Sequence, residues 1–234
     1  MKIENSRILI TGGSLGIGKE TAKHLVQQGA KVLITGRDKN RLDKAAKETG
    51  AIPFVFDISD FKSIQKNAEK CISLLDGKID AVINNAGIGT FSKLGEITIE
   101  DFQKVYATNV FGLALLTQEI VKTFKAQSYG NIINIGSTAS LKGFVGGTVY
   151  ASSKFALRGM TQTWQAELRK YNIRVSQVNP SEVTTAFANE ERVEREEVSN
   201  KLNSQEVADT IVSVLKMRDK GFIPELTIWA TNPF

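Results

Sequence analysis

The feature that most constrains this chain is an alternation. Short apolar runs, rich in β-branched residues, trade places with longer amphipathic stretches along the whole sequence. The runs are Arg7–Thr11 (RILIT), Lys31–Thr35 (KVLIT), Ile52–Phe56 (IPFVF), Ala81–Asn84 (AVIN), Asn131–Gly136 (NIINIG), Arg174–Val178 (RVSQV) and Leu226–Ala230 (LTIWA). Most are apolar at successive positions, which suits strands covered by helices on both faces. Between them lie helix candidates at Ile17–Gln28, Asn40–Thr49, Phe61–Leu75, Ile99–Ala126, Val149–Lys170 and Gln205–Met217. Gly29 is placed to cap the first at its C-terminus and Ser204 the last at its N-terminus. Strand then helix, repeated, implies parallel strands joined by right-handed crossovers. The expected fold is α/β: a doubly wound parallel β-sheet of about seven strands with helices on both faces. The length of 234 residues suits one such domain, 1–234, better than two.

Composition removes several classes of function. The one cysteine, Cys71, excludes an internal disulfide and a multi-cysteine zinc site, and fits a reducing cytoplasm. No metal site is expected. The stretch MKIENSRILI is not apolar enough for a leader, and no run is long enough to span a membrane. The formal charge of +5 comes from 30 basic and 25 acidic residues spread along the chain. Without interleaved aromatics, that charge reads as solubility and not as nucleic-acid binding. The charge run NEERVEREE (Asn189–Glu197) reads as a solvated helix or a mobile flap.

After the first run comes TGGSLGIG (Thr11–Gly18), with four glycines in eight residues just where a helix begins. Glycine is costly in backbone entropy and marks places where a side chain would obstruct. A glycine turn between a strand and a helix N-terminus is where a dinucleotide pyrophosphate sits, on unpaired N–H groups. Gly12 would allow the tight turn, Gly16 the approach of backbone to phosphate, and Gly18 the packing of helix on strand. The spacing is TGxxxGxG and not the common GxGxxG, so it needs support from elsewhere.

Support comes from Asp57 after the third run, Asn84-Asn85-Ala86-Gly87 after the fourth, Asn109, Ser137 after the fifth, and Tyr150-Ala-Ser-Ser-Lys154. In these motifs and their order the chain resembles the short-chain dehydrogenase/reductase family in its single-domain form, from Arg7 to the last strand. The resemblance implies a Rossmann-type fold and NADP(H) or NAD(H) chemistry on a C=O or CH–OH group. It implies that Tyr150 gives and takes the proton and that Ser137 holds the substrate oxygen. Lys154 would lower the tyrosine pKa and bind the nicotinamide ribose, while Asn109 would hold a water linking Lys154 to solvent. For the cofactor it implies Gly12, Ser14, Leu15, Gly16, Ile17 and Gly18 at the phosphates. Asp57 and Ile58 would lie at the adenine, Asn84, Ala86 and Gly87 along the wall, and Pro180, Val183 and Thr184 at the nicotinamide.

The residues support this chemistry on their own terms. Tyr150 and Lys154, at i and i+4, share a helix face. A free phenol has a pKa of about 10, too high for a neutral-pH shuttle, and a neighbouring cation lowers it. An ordinary surface pair is the alternative. Ser137 is placed at the carboxyl edge of the sheet, where open α/β folds bind ligands, or it caps a turn. Asn109, inside a long helix, marks a kink or is merely exposed. His24 belongs to the structure or the surface.

The end of the second strand selects the nicotinamide. An acidic residue there would bind the ribose hydroxyls; this chain has Gly36-Arg37, and a guanidinium suits a 2′-phosphate. NADP(H) is therefore expected, with Asp38 capping the next helix, and carbonyl reduction is the working direction. The chain departs from the family at Pro180-Ser181-Glu182, where Pro-Gly is usual, and in a short substrate flap at about 185–204 that suggests a shallow site.

The overall pattern is most similar to 3-oxoacyl-[acyl-carrier-protein] reductases, with acyl carrier protein as a partner. Against that, Asn131 and Tyr171 stand where those enzymes tend to have arginines, with Lys125, Arg169 and Lys170 nearby. A small-molecule carbonyl, sugar or pteridine reductase is the alternative, and a non-catalytic NADPH sensor a different class. Pairing into dimers or tetramers through the two long helices is expected, with Leu113, Leu116, Phe155 and Trp164 as contacts or as core.

Overall fold

A computed structural model describes residues 1–187 and 192–233. Seven strands form one sheet: β1 (Arg7–Thr11), β2 (Lys31–Gly36), β3 (Ile52–Val55), β4 (Ala81–Asn84), β5 (Gly130–Ile135), β6 (Ile173–Pro180) and β7 (Glu225–Ile228). Their order is β3-β2-β1-β4-β5-β6-β7 and every pairing is parallel. The order reverses between β1 and β4, which opens a crevice at the carboxyl ends of those two strands. The doubly wound architecture expected from the alternation is what forms.

The helices cover both faces: α1 (Gly16–Gln27), α2 (Lys39–Thr49), α3 (Ile64–Leu74), α4 (Ile99–Tyr106), α5 (Leu113–Gln127), α6 (Thr148–Leu168) and α7 (Ser204–Lys216). On one face Leu25, Leu42, Val207 and Ile211 pack on Ile8, Ile10 and Ile34. On the other, Ile64, Leu116, Ile120 and Phe124 pack on Leu9, Val82 and Val175. The alternating side chains of each strand thus feed two cores, which is why the strands read as continuous apolar runs. Each such side chain taken fully from water contributes about 1.5–3 kcal/mol.

Local chemistry moves some boundaries. Helix α3 starts at Ile64, not Phe61, because Asp57 Oδ1 accepts from the Ser59 N–H and hydroxyl (2.9 and 2.7 Å) and holds a turn there. Asp38 caps α2 by accepting the Arg41 N–H at 2.9 Å, as expected. Ser204 does not cap α7. Asn203 does, accepting the Gln205 N–H at 2.7 Å while Glu206 reaches back to the Asn203 N–H. His24 ties α1 to α7, 3.1 Å from both Glu20 and Asp209. Of the expected pairing contacts, Leu113 and Leu116 are buried and Trp164 packs on the second core, whereas Phe155 stays exposed.

Candidate active site

The crevice widens into a cavity of about 1100 Å³ that runs from Arg37 past the glycine turn to Tyr150. Its size corrects the expectation of a shallow site, because Ala186, Phe187, Arg192 and Arg195 of the short flap form part of its wall. The run Asn189–Glu197 is not helical over 192–197, and residues 189–191 lie outside those described.

At the β1 end the site is built from main chain. Gly12 has φ +68°, and a Cβ there would lie 2.8 Å from the Ala86 Cα. The turn is pinned by Asn85, whose Nδ2 donates to the carbonyls of Thr11 and Gly12 at 3.0 and 2.9 Å. Thr11 Oγ1 accepts from the N–H groups of Asn85 and Ala86 at 3.1 and 3.0 Å. Gly12, Ser14, Leu15, Gly16, Ile17, Arg37, Asp57, Ile58, Ala86, Gly87, Pro180 and Val183 all line the cavity. Three expected cofactor contacts do not. Gly18 sits behind the turn, where a Cβ would meet the Gly12 carbonyl oxygen at 2.4 Å; its role is helix-on-strand packing. Asn84 is buried and donates to Thr117 Oγ1 and Asn134 Oδ1 at 2.9 and 2.8 Å. Thr184 gives its N–H to the Leu202 carbonyl at 2.8 Å, and its neighbour Thr185 takes its place on the wall. Ser181 joins β7 through its N–H to the Ile228 carbonyl at 2.9 Å and has no positive φ, so no glycine is needed.

At the β5 end the site is built from side chains. Ser137 N-caps a short 3₁₀ turn, Thr138–Ser140, accepting the Ala139 N–H at 3.1 Å, and it lines the cavity together with Tyr150. The two placements expected of Ser137, capping a turn and lining the ligand crevice, thus coexist. Burial pushes the Tyr150 phenol up to about 12, against the opposing pull of the Ser137 side chain. Burial also pushes Lys154 down to about 8. Its Nζ donates to the Ile135 carbonyl at 2.7 Å and stands 5.8 Å from the centre of the Tyr150 ring. The expected lowering of Tyr150 by Lys154 is not present: the phenol is raised by its own burial, and Lys154 Nζ is engaged by the Ile135 carbonyl.

Asn109 is buried, which removes the exposed alternative. It lies in a π-helical turn, Ala107–Gly112, between α4 and α5. Such a turn inserts an extra residue and recurs at functional sites. Asn109 does not line the cavity. Its Oδ1 accepts the Ile88 N–H and its Nδ2 donates to the Ile88 carbonyl, both at 2.9 Å, and to Ser153 Oγ at 3.0 Å. It locks the wall beside Gly87 to α6.

Other residues of the site were not anticipated. Phe91 and Phe187 flank Tyr150 with ring centres 5.5 and 5.4 Å away, and Phe144 follows Phe91 at 6.0 Å. Beneath the site runs a buried polar row. Asn84, Asn134, Gln177 and Glu225 stand in register across β4, β5, β6 and β7. Asn134 donates to Thr161 Oγ1 at 2.8 Å, and that hydroxyl lies 3.0 Å from Gln177 Oε1. Gln177 donates to Asn179 Oδ1 at 2.7 Å, and Asn179 to Glu225 Oε1 at 2.8 Å. Arg158 closes the row on Glu225 through Nε at 2.8 Å. Asn179 Oδ1 also receives the Ser137 N–H at 3.3 Å, so the row ends at Ser137 on the cavity wall.

The donor set fits a phosphorylated dinucleotide. The N-terminus of α1 already holds an oxyanion, the Glu194 carboxylate, which accepts the Gly16 N–H at 3.0 Å. Arg37, Arg41, Arg192 and Arg195 line the same cavity. A doubly wound sheet with a glycine turn at β1 and a Ser–Tyr–Lys set past β5 defines an oxidoreductase acting on CH–OH or C=O groups. The chain belongs to the short-chain dehydrogenase family, whose model matches residues 6–196. It is 36% identical over 190 residues to a 3-oxoacyl-[acyl-carrier-protein] reductase of Thermotoga maritima, covering 79% of this chain and 77% of that protein. It is 30% identical over 247 residues to an NADP-dependent 3-hydroxy acid dehydrogenase of Schizosaccharomyces pombe, covering 99% and 95%. A metagenomic short-chain oxidoreductase solved in complex with NADP superposes with a TM-score of 0.84 at 27% identity, covering 97% of this chain and 98% of that one.

Proposed function

We propose that this chain is an NADP(H)-dependent reductase that converts a ketone to a secondary alcohol, and that its substrate is a 3-oxoacyl thioester. The gathering of Ser137, Tyr150 and Lys154 on the wall of one cavity carries the reading. Arg37, Arg41 and the glycine turn would hold the cofactor, which supplies a hydride when bound. Tyr150 gives its hydroxyl proton to the carbonyl oxygen, and the Ser137 hydroxyl holds that oxygen in place. Lys154 carries the cation that favours the phenolate left behind. With its phenol pushed up to about 12, Tyr150 stays a loaded donor at neutral pH.

The rings of Phe91, Phe144 and Phe187 support an apolar group beside the reacting carbon, as an acyl chain would present. A second reading, a small free ketone, is favoured by Asn131: it is buried and accepts from Arg174 at 2.7 Å, so it offers nothing to an acidic carrier. Lys125 and Lys170 lie 5.0 and 5.3 Å from the Tyr171 ring centre.

NADPH consumption with acetoacetyl thioesters, free and carrier-bound, against cyclic ketones and keto sugars tests both readings. A higher kcat/KM on the carrier-bound thioester supports the first; turnover of cyclic ketones or keto sugars with no gain from the carrier supports the second; turnover of none of these ketones refutes both. Phe111, Leu115 and Phe155, exposed on the π turn, α5 and α6, support pairing into a dimer or tetramer. Light scattering that gives only monomer at micromolar concentration refutes it.

A further inference from the structure

The segment 192–197 does more than carry solvated charge. Arg192 and Arg195 line the cavity together with Arg37 and Arg41. Glu194, between them, points to α1: Oε1 accepts the Gly16 N–H at 3.0 Å, and Oε2 lies 3.7 Å from Lys19 Nζ. The Gly16 N–H opens the helix and has no partner within it, so the carboxylate sits where a diphosphate would be bound.

We propose that this segment is a third wall of the cofactor site, in which Arg192 supplies a further guanidinium for the 2′-phosphate and Glu194 is an internal anion that the diphosphate displaces. The proposal rests on the NADP(H) reading above. Arg41 has its own carboxylate, Asp38, at 3.0 Å. Among the described residues, neither Arg37 nor Arg192 has an ion pair. Arg192 is half-buried and feels Arg37 and Arg41; burial first, and then those like charges, lower its pKa. Guanidiniums gathered this way repel one another until a dianion joins them, and a 2′-phosphate is such a dianion. NADH brings the diphosphate but not that group. The two nucleotides should therefore compete equally with Glu194 and unequally for Arg192.

Titration of NADPH and NADH by fluorescence and calorimetry, on the full chain and on Arg192→Ala, Glu194→Ala and Glu196→Ala, separates these roles. Arg192→Ala should weaken NADPH about tenfold, the scale of one charge-assisted hydrogen bond, and leave NADH nearly unchanged. Glu194→Ala should tighten both nucleotides by about two- to fivefold, the scale of an anion at a helix N-terminus. Glu196→Ala removes the same charge from the same segment without a contact to α1, and should tighten neither. Equal weakening of both nucleotides in Arg192→Ala, or none, overturns the guanidinium role. A Glu194→Ala effect no larger than that of Glu196→Ala overturns the displaced anion. Wild-type protein that binds neither nucleotide overturns the cofactor reading itself, a different failure from the other two.

Discussion

The two ends of the cavity are made of different material. At β1 the wall is main chain: glycines, N–H groups and the α1 terminus, pinned by Asn85 and Thr11. At β5 it is side chain: Ser137, Tyr150 and Lys154 hang over a buried row that crosses four strands. A main-chain wall tolerates any sequence that keeps its shape, and so it depends on glycine. A side-chain wall depends on each polar group finding its partner, because a buried group left unpaired costs about 1–3 kcal/mol. One end should therefore be re-specified by a few surface changes, and the other should resist change.

The largest effect expected is at the side-chain end. Tyr150→Phe removes one oxygen and its proton, and turnover should fall by about a hundredfold or more while titrated NADPH binding holds. Retained turnover would break the contrast at once.

At the main-chain end, Gly36→Asp with Arg37→Ile should reverse cofactor choice. A Cβ at Gly36 would lie 3.5 Å from Leu42 Cδ1 and 3.7 Å from Ser14 Oγ, and φ there is not positive, so aspartate fits without strain. An about tenfold to hundredfold preference for NADPH, the scale of charge-assisted hydrogen bonding, should become a preference for NADH. Equal change in both Kd values would show that Arg37 does not meet the phosphate.

Within the row, Asn134→Ala removes one of the two acceptors of Asn84 Nδ2 and the donor to Thr161 Oγ1. It should lower stability by about 2 kcal/mol, roughly thirtyfold in the folding equilibrium, with an unchanged urea m-value. A loss under about 0.5 kcal/mol would make this end as tolerant as the other.

The smallest effect is in pH. Lys154, with its pKa pushed down to about 8, is protonated below that value and loses its proton as pH rises through it. Reductive kcat/KM should therefore hold below pH 8 and decline above it, while Tyr150 remains protonated until about 12. Lys154→Met should lower the rate and flatten that decline. The same shift affects stability: between about 8 and the ordinary lysine value the unfolded chain holds more protons, so Lys154 makes folding more favourable as pH rises through that window.

This division explains what could be read from the sequence. The sheet was legible because both faces of each strand feed a core, and the main-chain end because Gly12, Gly16 and Gly18 mark where backbone must come close. Ser137, Tyr150 and Lys154 became candidates through helix spacing, position at the sheet edge and family resemblance. The partners of Lys154 could not be read, since its choice of the Ile135 carbonyl depends on how α6 lies across β5. Thr184 and Thr185 differ by one position, and only the bridge to Leu202 decides which faces inward. Arg192 and Arg195 are three apart in a charge run. That spacing was visible, but not the wall that they face.

The polar row also makes five positions a single genetic unit. Asn84, Asn134, Gln177, Asn179 and Glu225 lie up to 141 residues apart in the chain, yet hydrogen bonds link them in sequence, with Thr161 bridging Asn134 and Gln177. Substitutions among them will be epistatic, with coupling energies of about 0.5–3 kcal/mol, and single-site scans will misjudge every pair. A library meant to reshape the edge at Glu225 will recover active clones only where Arg158 and Asn179 vary with it, and its failures will register at Ser137, far from the altered codon.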